Sequence, residues 1–449
     1  MTKSKLAIVI LAAGIGSRMK SKKSKVLHPL AGQPMINHLV KTINSLEPDD
    51  ICVVVGEQKN DVAREVYPLP TVIQSERLGT AHAVLAAREN LSDFDGDVLV
   101  LYGDTPLIKF DTFHALLDAR ASAIDPAVVV LGFTPEDPNS YGRLIINKKG
   151  NLESIVETED ASNEQLKINF CNSGVMLIDG NVIWDLLERV DNKNTKGEYY
   201  LTDIIGLARE HSRECIAIKG DCDELIGINS REDLAEAEGI LQDRLRSEAL
   251  KNGVTFLDPK TVYLSYDTQF GQDVTIAPNV FFGKGVKIGD GAKINAFCHI
   301  EGATISAGST VGPFARLRSG SEVGYGVKVG NFVEIKNSTI EKGAKVPHLS
   351  YVGDAHVGSD ANIGAGTITC NYNGFSKAKT VIGNCSFIGS NTALVAPVSI
   401  GDGAVIGAGS TITKNVSSDS LAVTRASQRE IVGWAKKNRD ENASQKVKK

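Results

Sequence analysis

Three groups of residues in this 449-residue sequence have types and spacings suited to chemistry. The first is Leu11-Ala-Ala-Gly-Ile-Gly-Ser-Arg-Met19, a glycine-rich loop directly after the apolar run Leu6–Leu11. Gly14 and Gly16 allow backbone amides to face a phosphate, and Arg18 and Lys25 add cations that could neutralise a triphosphate. The loop is neither G-x-G-x-x-G nor a Walker sequence, which argues against a dehydrogenase or an ATPase; by itself it also satisfies a tight strand-to-helix turn. The second is Asp104, which ends Val100-Leu-Tyr-Gly-Asp, the place where an open α/β sheet puts a metal ligand. The third is His348, preceded by Arg318 and Lys336. A neutral imidazole near pH 7 can act as a general base. In isolation His348 also reads as a surface corner residue, and His299 and His356, without such company, keep that reading.

Two kinds of element must position these groups. Up to about residue 230, strand-like runs at Leu6–Leu11, Ile51–Val55, Val98–Leu101 and Ala127–Phe133 alternate with helical stretches such as Met35–Ser45 and Ala81–Glu89. Buried strands alternating with helices predict a mostly parallel sheet covered on both faces, a Rossmann-like α/β domain over 1–229. Residues 230–251 read as a linking helix, with Ser230-Arg-Glu-Asp233 as a capping box and Asn252-Gly253 as a stop. Leu234, Ala237, Leu241 and Leu245 form its apolar stripe.

From 252 to 449 the pattern changes. Aliphatic residues recur every six positions, through Ile276, Phe282, Ile288, Ile294 and Ile300, and continue, with five-residue steps to Ile305, Ile340 and Val357, as far as Ile363. After a break at Thr369–Val381 the register resumes at Ile382 and runs to Ile412. A sustained six-residue period predicts a left-handed parallel β-helix of hexapeptide repeats, in which each aliphatic side chain stacks on its equivalents in neighbouring coils. The break must leave the prism as an external loop, either carrying function or merely tolerated.

Composition narrows the classes. The chain is 42% hydrophobic and 23% charged with a net charge of −5, an ordinary globular profile without the basic excess of a nucleic-acid binder. The apolar run at the start is too short for a signal peptide or a membrane span. Seven scattered cysteines with no C-x-x-C predict reduced thiols in a cytoplasmic protein.

The loop motif, with Lys25 following and Gln74-Ser-Glu-Arg-Leu-Gly-Thr80 further on, resembles the sugar-1-phosphate nucleotidyltransferases. Taken with Gly312-Pro-Phe-Ala-Arg-Leu-Arg318, Gly330-Asn-Phe-Val-Glu-Ile-Lys336, His348-Leu-Ser-Tyr351 and Asn362 through Tyr372, the chain is similar over nearly its whole length to the bacterial bifunctional N-acetylglucosamine-1-phosphate uridylyltransferases/glucosamine-1-phosphate acetyltransferases. That resemblance implies acetylation of glucosamine-1-phosphate by acetyl-CoA, then transfer of UMP from UTP, giving UDP-N-acetylglucosamine for peptidoglycan and other envelope polymers. It implies Leu11, Ala12, Ala13, Gly14 and Lys25 on the nucleotide, and Gln74, Gly79 and Thr80 on uracil. It implies Tyr102, Gly103 and Asp104 beside them, and Gly142, Glu157 and Asn172 on the sugar, with Arg18 and Lys25 catalytic. Mg²⁺ would be held by Asp104 and Asn229, although Asn229 also sits where a helix cap belongs. In the second half it implies His348 as general base, and Arg318, Lys336, Tyr351 and Asn362 on the sugar phosphate. Ala365, Asn371, Tyr372, Ser390, Ala408 and Arg425 would line the acetyl-CoA site. A homotrimer with acetyl sites between subunits follows from the same resemblance. Trp434 could anchor the tail on a neighbour, and the polar stretch after it reads as a disordered end.

Two other readings remain open on the sequence: a single-activity nucleotidyltransferase whose prism only regulates or oligomerises, and a binding scaffold with dead sites. The group His348, Arg318, Lys336 and Asn371-Tyr372 has no use in the first, and intact Arg18, Lys25 and Asp104 have none in the second.

Overall fold

In the computed structural model, which describes residues 5–57, 60–92, 94–138 and 141–446, the chain divides into two compact units, 1–245 and 246–449. The division falls inside the helix Arg231–Lys251. Its predicted cap is present: the Ser230 hydroxyl accepts from the Asp233 amide at 3.1 Å, and the Asp233 carboxylate accepts from the Ser230 amide at 2.9 Å.

The first unit is built on a sheet whose central strands are the apolar runs of the sequence. Leu6–Leu11 lies between Asp97–Tyr102 and Asp50–Gly56, parallel to both, and Thr71–Gln74 pairs beyond Asp50–Gly56. Cys171–Asp179 runs antiparallel between Asp97–Tyr102 and Val128–Phe133, so the sheet is mixed. Two buried clusters cover its faces, one including Ile8, Ile10, Leu39 and Phe113, the other Val9, Val54, Val100 and Ile183. Alternate residues of one strand therefore feed opposite cores, as a strand buried on both faces requires. The predicted helix Ala81–Glu89 is two short ones, Thr80–Leu85 and Arg88–Leu91.

In the second unit every aliphatic residue of the six-residue register, from Ile276 to Ile412, is buried. Three parallel sheets close a triangular prism. One face contains Lys328–Asn331, Lys345–His348, Asn362–Ile363 and Phe387–Ile388; the next contains Glu334–Lys336, Tyr351–Gly353 and Ile368–Cys370; the third contains Ser338–Ile340 and Ala355–Val357. The external loop is shorter than the sequence implied, because Ile368–Cys370 and Thr380–Ile382 are strands of the prism. Thr369 breaks the aliphatic register yet occupies a core rung beside Leu394; its hydroxyl accepts from the Gly353 amide at 2.8 Å, which satisfies the buried oxygen. Along one corner Phe297, Phe314 and Phe332 stack with centroids 4.8 and 5.1 Å apart and stay about half exposed, each at positive φ. Leu349 continues that exposed, positive-φ row.

The end of the chain departs from expectation. Trp434–Lys446 is a helix whose Ala, Lys and Arg residues favour helix even without an apolar face to bury; residues 447–449 lie outside the described part. No helix among the described residues is long and apolar enough to cross a membrane.

Candidate active sites

The first unit gathers its site at the carboxyl ends of parallel strands. Leu11 and Tyr102 end neighbouring strands in register, so the glycine loop and Gly103-Asp104 emerge side by side, and Gln74 ends a strand two places along. The Gly103 amide donates to the Leu11 carbonyl at 3.0 Å, tying the two exits together. The backbone bond from the Ile228 amide to the Asp104 carbonyl, 2.9 Å, carries Asn229 to the same place from the start of the long helix. Asn229 is then held at its own amide by the Asp233 carboxylate, 2.8 Å.

Three side chains converge there. The Lys25 ammonium donates to the Asp104 carboxylate and, at 3.0 Å, to the Asn229 side-chain oxygen. Both charged side chains are largely buried, so this is a desolvated ion pair and not a surface one. A cavity of about 400 Å³ opens above them, lined by Leu11–Gly14, Lys25, Gln74, Gly79, Thr80, Tyr102, Asp104 and Asn229. The two loop glycines differ: a side chain at Gly16 would strike Lys25, whereas Gly14 faces open space. Gly16 (φ 68°) thus shapes the turn, and Gly14 leaves room for a ligand.

Gly142, Glu157 and Asn172 form a neighbouring group. The Asn172 amide donates to the Gly142 carbonyl at 2.8 Å, and the Glu157 carboxylate lies against Gly142. Burial pushes the Glu157 carboxyl above its ordinary range, only partly offset by the bond from Thr202. Burial likewise raises the Tyr102 phenol, with the Glu157 charge adding to it.

Arg18 is not among the residues lining that first cavity. It lines an adjoining cavity of about 580 Å³ with Glu136, Asp137, Asp223, Asp233 and Glu236. Sequence reading also did not single out Tyr141, Arg77 and Glu198, which line the first cavity; Arg77 stands inside the quoted Gln74–Thr80 segment and Tyr141 beside Gly142, whereas Glu198 has no motif around it.

In the prism the candidate residues fall into two groups. The first lies along the corner where His348 ends its strand. The stacking of Ile363 on Ile388 and of Ile388 on Ile406 places Ala365, Ser390 and Ala408 one above another, and Arg425 reaches back to the Ala408 carbonyl at 2.6 Å. Asn362 stands on the face leading to this corner. His348 Nδ1 lies 2.7 Å from the Asn331 side-chain oxygen, one coil away. That oxygen only accepts, so Nδ1 carries a proton, and in the neutral imidazole the lone pair then lies on Nε2. Asn331 was not singled out in the sequence, although its place one coil before His348 is the signal that finds it.

The second group lies at the following corner. Arg318 and Lys336 end successive strands of the next face; Arg318 pairs with Glu334 at 2.9 Å. The Tyr351 side chain runs over Gly353 towards Asn371, whose amide it meets at 3.4 Å. Asn371 and Asn337 both donate to Asp354. Burial alone would raise Asp354, but these bonds and the charges of Lys336 and Lys377 hold it below the usual carboxylate range. The neighbouring Lys336 ammonium lowers Lys377 in turn. Tyr372 begins the external loop and is exposed. All seven cysteines are free thiols.

Comparison with known proteins covers both halves. Residues 8–155 match the model of the MobA-like NTP transferase domain, and residues 267–302 and 379–414 that of the bacterial transferase hexapeptide repeat. The chain is 58% identical over 449 residues, all of both chains, to the bifunctional protein GlmU of Paramagnetospirillum magneticum. It is also 58% identical to that of Rhodospirillum rubrum, covering 97% of this chain and 98% of the relative. With the Agrobacterium fabrum protein the identity is 49% over 100% and 99%. Identity of this order along the full length leaves neither unit unaccounted for, and the chain belongs to the bifunctional GlmU family.

Proposed function

We propose that the chain makes UDP-N-acetylglucosamine by two transfers, acetylating glucosamine-1-phosphate in the prism and uridylylating N-acetylglucosamine-1-phosphate in the α/β unit. The observation that carries this reading is the full-length identity with bifunctional GlmU proteins, so that both sites come from one family together.

In the α/β unit no protein nucleophile is required. A sugar-phosphate oxygen attacks the α-phosphorus of UTP and pyrophosphate leaves, so the protein supplies alignment and charge neutralisation. The Gly14 loop amides would cradle the phosphates, Lys25 would neutralise them, and Gln74, Gly79 and Thr80 would read the base. Gly142, Glu157 and Asn172 would hold the sugar. Arg18, exposed just after the glycine loop, would add a second positive charge to the phosphates.

Asp104 and Asn229 fit Mg²⁺. Their oxygens already converge on one positive charge, the Lys25 ammonium. Magnesium takes one or two protein oxygens and completes its shell with water and substrate phosphates. When bound, the ion supplies charge stabilisation to the phosphates.

In the prism His348 Nε2 would take the proton of the glucosamine amine as it attacks the thioester of acetyl-CoA, with coenzyme A leaving. Asn331 keeps the imidazole in the tautomer this needs. Arg318, Lys336 and Tyr351 would bind the sugar phosphate; Asn362 would assist; Ala365, Asn371, Tyr372, Ser390, Ala408 and Arg425 would line the coenzyme site.

A homotrimer completes that site. In one chain His348 ends a strand of one face, whereas Arg318 and Lys336 end strands of the next, at a different corner. Sites formed between copies unite them. The exposed Phe297–Phe314–Phe332–Leu349 row, adjoining His348, is the kind of apolar stripe that a neighbouring copy covers. Exposed Ile431, Val432 and Trp434 are available for the same use. The free thiols and the two cytosolic-type substrates accord with a cytoplasmic enzyme.

The test uses purified chain with glucosamine-1-phosphate, acetyl-CoA, UTP and Mg²⁺, omitting one reagent at a time and following products by mass spectrometry. UDP-N-acetylglucosamine should form only from the full mixture, and N-acetylglucosamine-1-phosphate should accumulate without UTP. Uridylylation of supplied N-acetylglucosamine-1-phosphate with no acetylation under any condition would reduce the prism to a structural part.

A further inference from the structure

Gln74 reaches the candidate base site from the end of a strand, and its amide is oriented by more than the backbone. It is only 5% exposed, so each of its polar atoms must find a partner in the protein or in the cavity it lines. Its Nε2 lies 3.1 Å from the Gly79 carbonyl and 3.3 Å from His82 Nδ1. The Gly79 carbonyl can only accept, which fixes Nε2, and not Oε1, on that side. With Nε2 donating to both neighbours, His82 Nδ1 is an acceptor and the imidazole carries its proton on Nε2. No donor among the described residues is bonded to Gln74 Oε1, and Oε1 is not among the fully buried unpaired atoms. The open group that Gln74 presents to the cavity is therefore a carbonyl oxygen.

Both anchors are themselves rigid. Gly79 (φ 123°) packs so closely that an added Cβ would lie 2.4 Å from the Tyr199 carbonyl. Tyr199 in turn donates to the Leu78 carbonyl at 2.7 Å and accepts from the Ala81 amide at 2.9 Å. His82 stands in the helix Thr80–Leu85, one turn from that clamp.

A fixed acceptor discriminates between pyrimidines. Uracil has a donor at N3, whereas cytosine has an acceptor there, and two facing acceptors leave a buried group unpaired at a cost of about 1–3 kcal/mol. We propose that His82 is a positioning residue for nucleotide specificity: by accepting the second Gln74 amide proton it holds Oε1 toward the base, so that the site takes uracil and rejects cytosine. Its effect passes through Gln74, and His82 itself need not touch the nucleotide. This deepens, and rests on, the reading of Gln74 as a uracil contact in the uridylyltransfer site.

The test compares UTP with CTP, using the full-length protein and N-acetylglucosamine-1-phosphate, in the wild type and in His82→Ala, His82→Asn and Gln74→Ala. His82→Ala should raise KM for UTP and lower the UTP-to-CTP ratio of kcat/KM by about 5–10-fold, the worth of one ordinary hydrogen bond. Its kcat with UTP and its KM for the sugar phosphate should stay near wild type. His82→Asn, which restores an acceptor near the Nδ1 position, should recover most of the ratio. A purely structural role for His82 would instead lower the melting temperature and kcat while leaving the ratio intact. An unchanged ratio in a folded His82→Ala protein overturns the inference, provided Gln74→Ala lowers it, since the uracil reading then stands alone. An unchanged ratio in Gln74→Ala overturns both.

Discussion

The two units assemble their sites by opposite means. In the α/β unit, Leu11, Gln74, Asp104 and Asn229 come from segments far apart in sequence and meet because parallel strands end at one edge of a sheet. In the prism, residues one coil apart stack directly, so Asn331 finds His348 and Ala365 finds Ser390 by periodicity. Yet the irregular sheet brings its triad Lys25, Asp104 and Asn229 together within one chain, while the regular prism keeps its histidine and its cations at separate corners. A periodic scaffold aligns residues along its axis but does not bend two corners together; in the function proposed above a second copy would do so.

The widest break in this comparison comes from separating the activities. His348→Ala should lower acetyl transfer by about 10²–10⁴-fold, the usual worth of a general base, with uridylyl transfer near wild type. Asp104→Ala should reverse the pattern. Assaying both reactions on both variants checks the division, and equal loss of both activities in either protein would abolish it.

A second experiment asks whether the prism site is shared. His348→Ala and Lys336→Ala chains, each inactive for acetylation, would be unfolded together and refolded as a mixture. If each site takes His348 from one copy and Lys336 from the next, random trimers restore about a quarter of the sites. Sites contained in one chain would restore none.

Stability should be felt differently in the two units. Leu394 is fully buried on the continuous ladder, stacked on Thr369 and Ile412. Leu394→Ala should cost about 2–5 kcal/mol, and hydrogen exchange should show the loss spread over neighbouring coils, since each coil is stabilised by its neighbours. Phe113→Ala, in the α/β core, should cost about 3–5 kcal/mol without loosening the prism amides.

The smallest effect concerns buried carboxylates. Asp354 in the prism is held low by two amides, whereas Asp203 in the α/β unit is pushed up to about 6, chiefly by burial and then by Asp191 and Asp160. A carboxyl whose folded pKa lies above its unfolded value of about 3.9 favours folding when protonated. That contribution is complete below about pH 4 and is lost as pH rises through 6. Asp203→Asn should therefore raise the melting temperature by roughly 2–4 °C at pH 8, after discounting for partial exposure, and by less at pH 5. An equal gain at both pH values would remove the charge from the explanation.

The prism was legible almost residue by residue, because a six-residue period writes the inward position of every coil into the chain; only Thr369, whose hydroxyl is satisfied by Gly353, hid its rung. The glycine loop and Asp104 were legible through the whole motif and its order in the chain, since a glycine turn after a strand alone also serves a tight strand-to-helix connection. Glu198 was not, for it carries no local pattern, and Arg77 and Tyr141, though inside or beside quoted segments, show their place in the cavity only once the fold gathers them. The sequence by itself thus determined the two architectures, the capped helix between their patterns and the residue types available for each chemistry. Tertiary structure alone decided that Lys25 pairs with Asp104 and Asn229, that Arg18 stands in a different cavity, and that His348 and Lys336 occupy different corners. Periodicity and capping are short-range and are encoded locally, whereas the meeting of distant side chains depends on strand order and coil geometry, which no single segment contains.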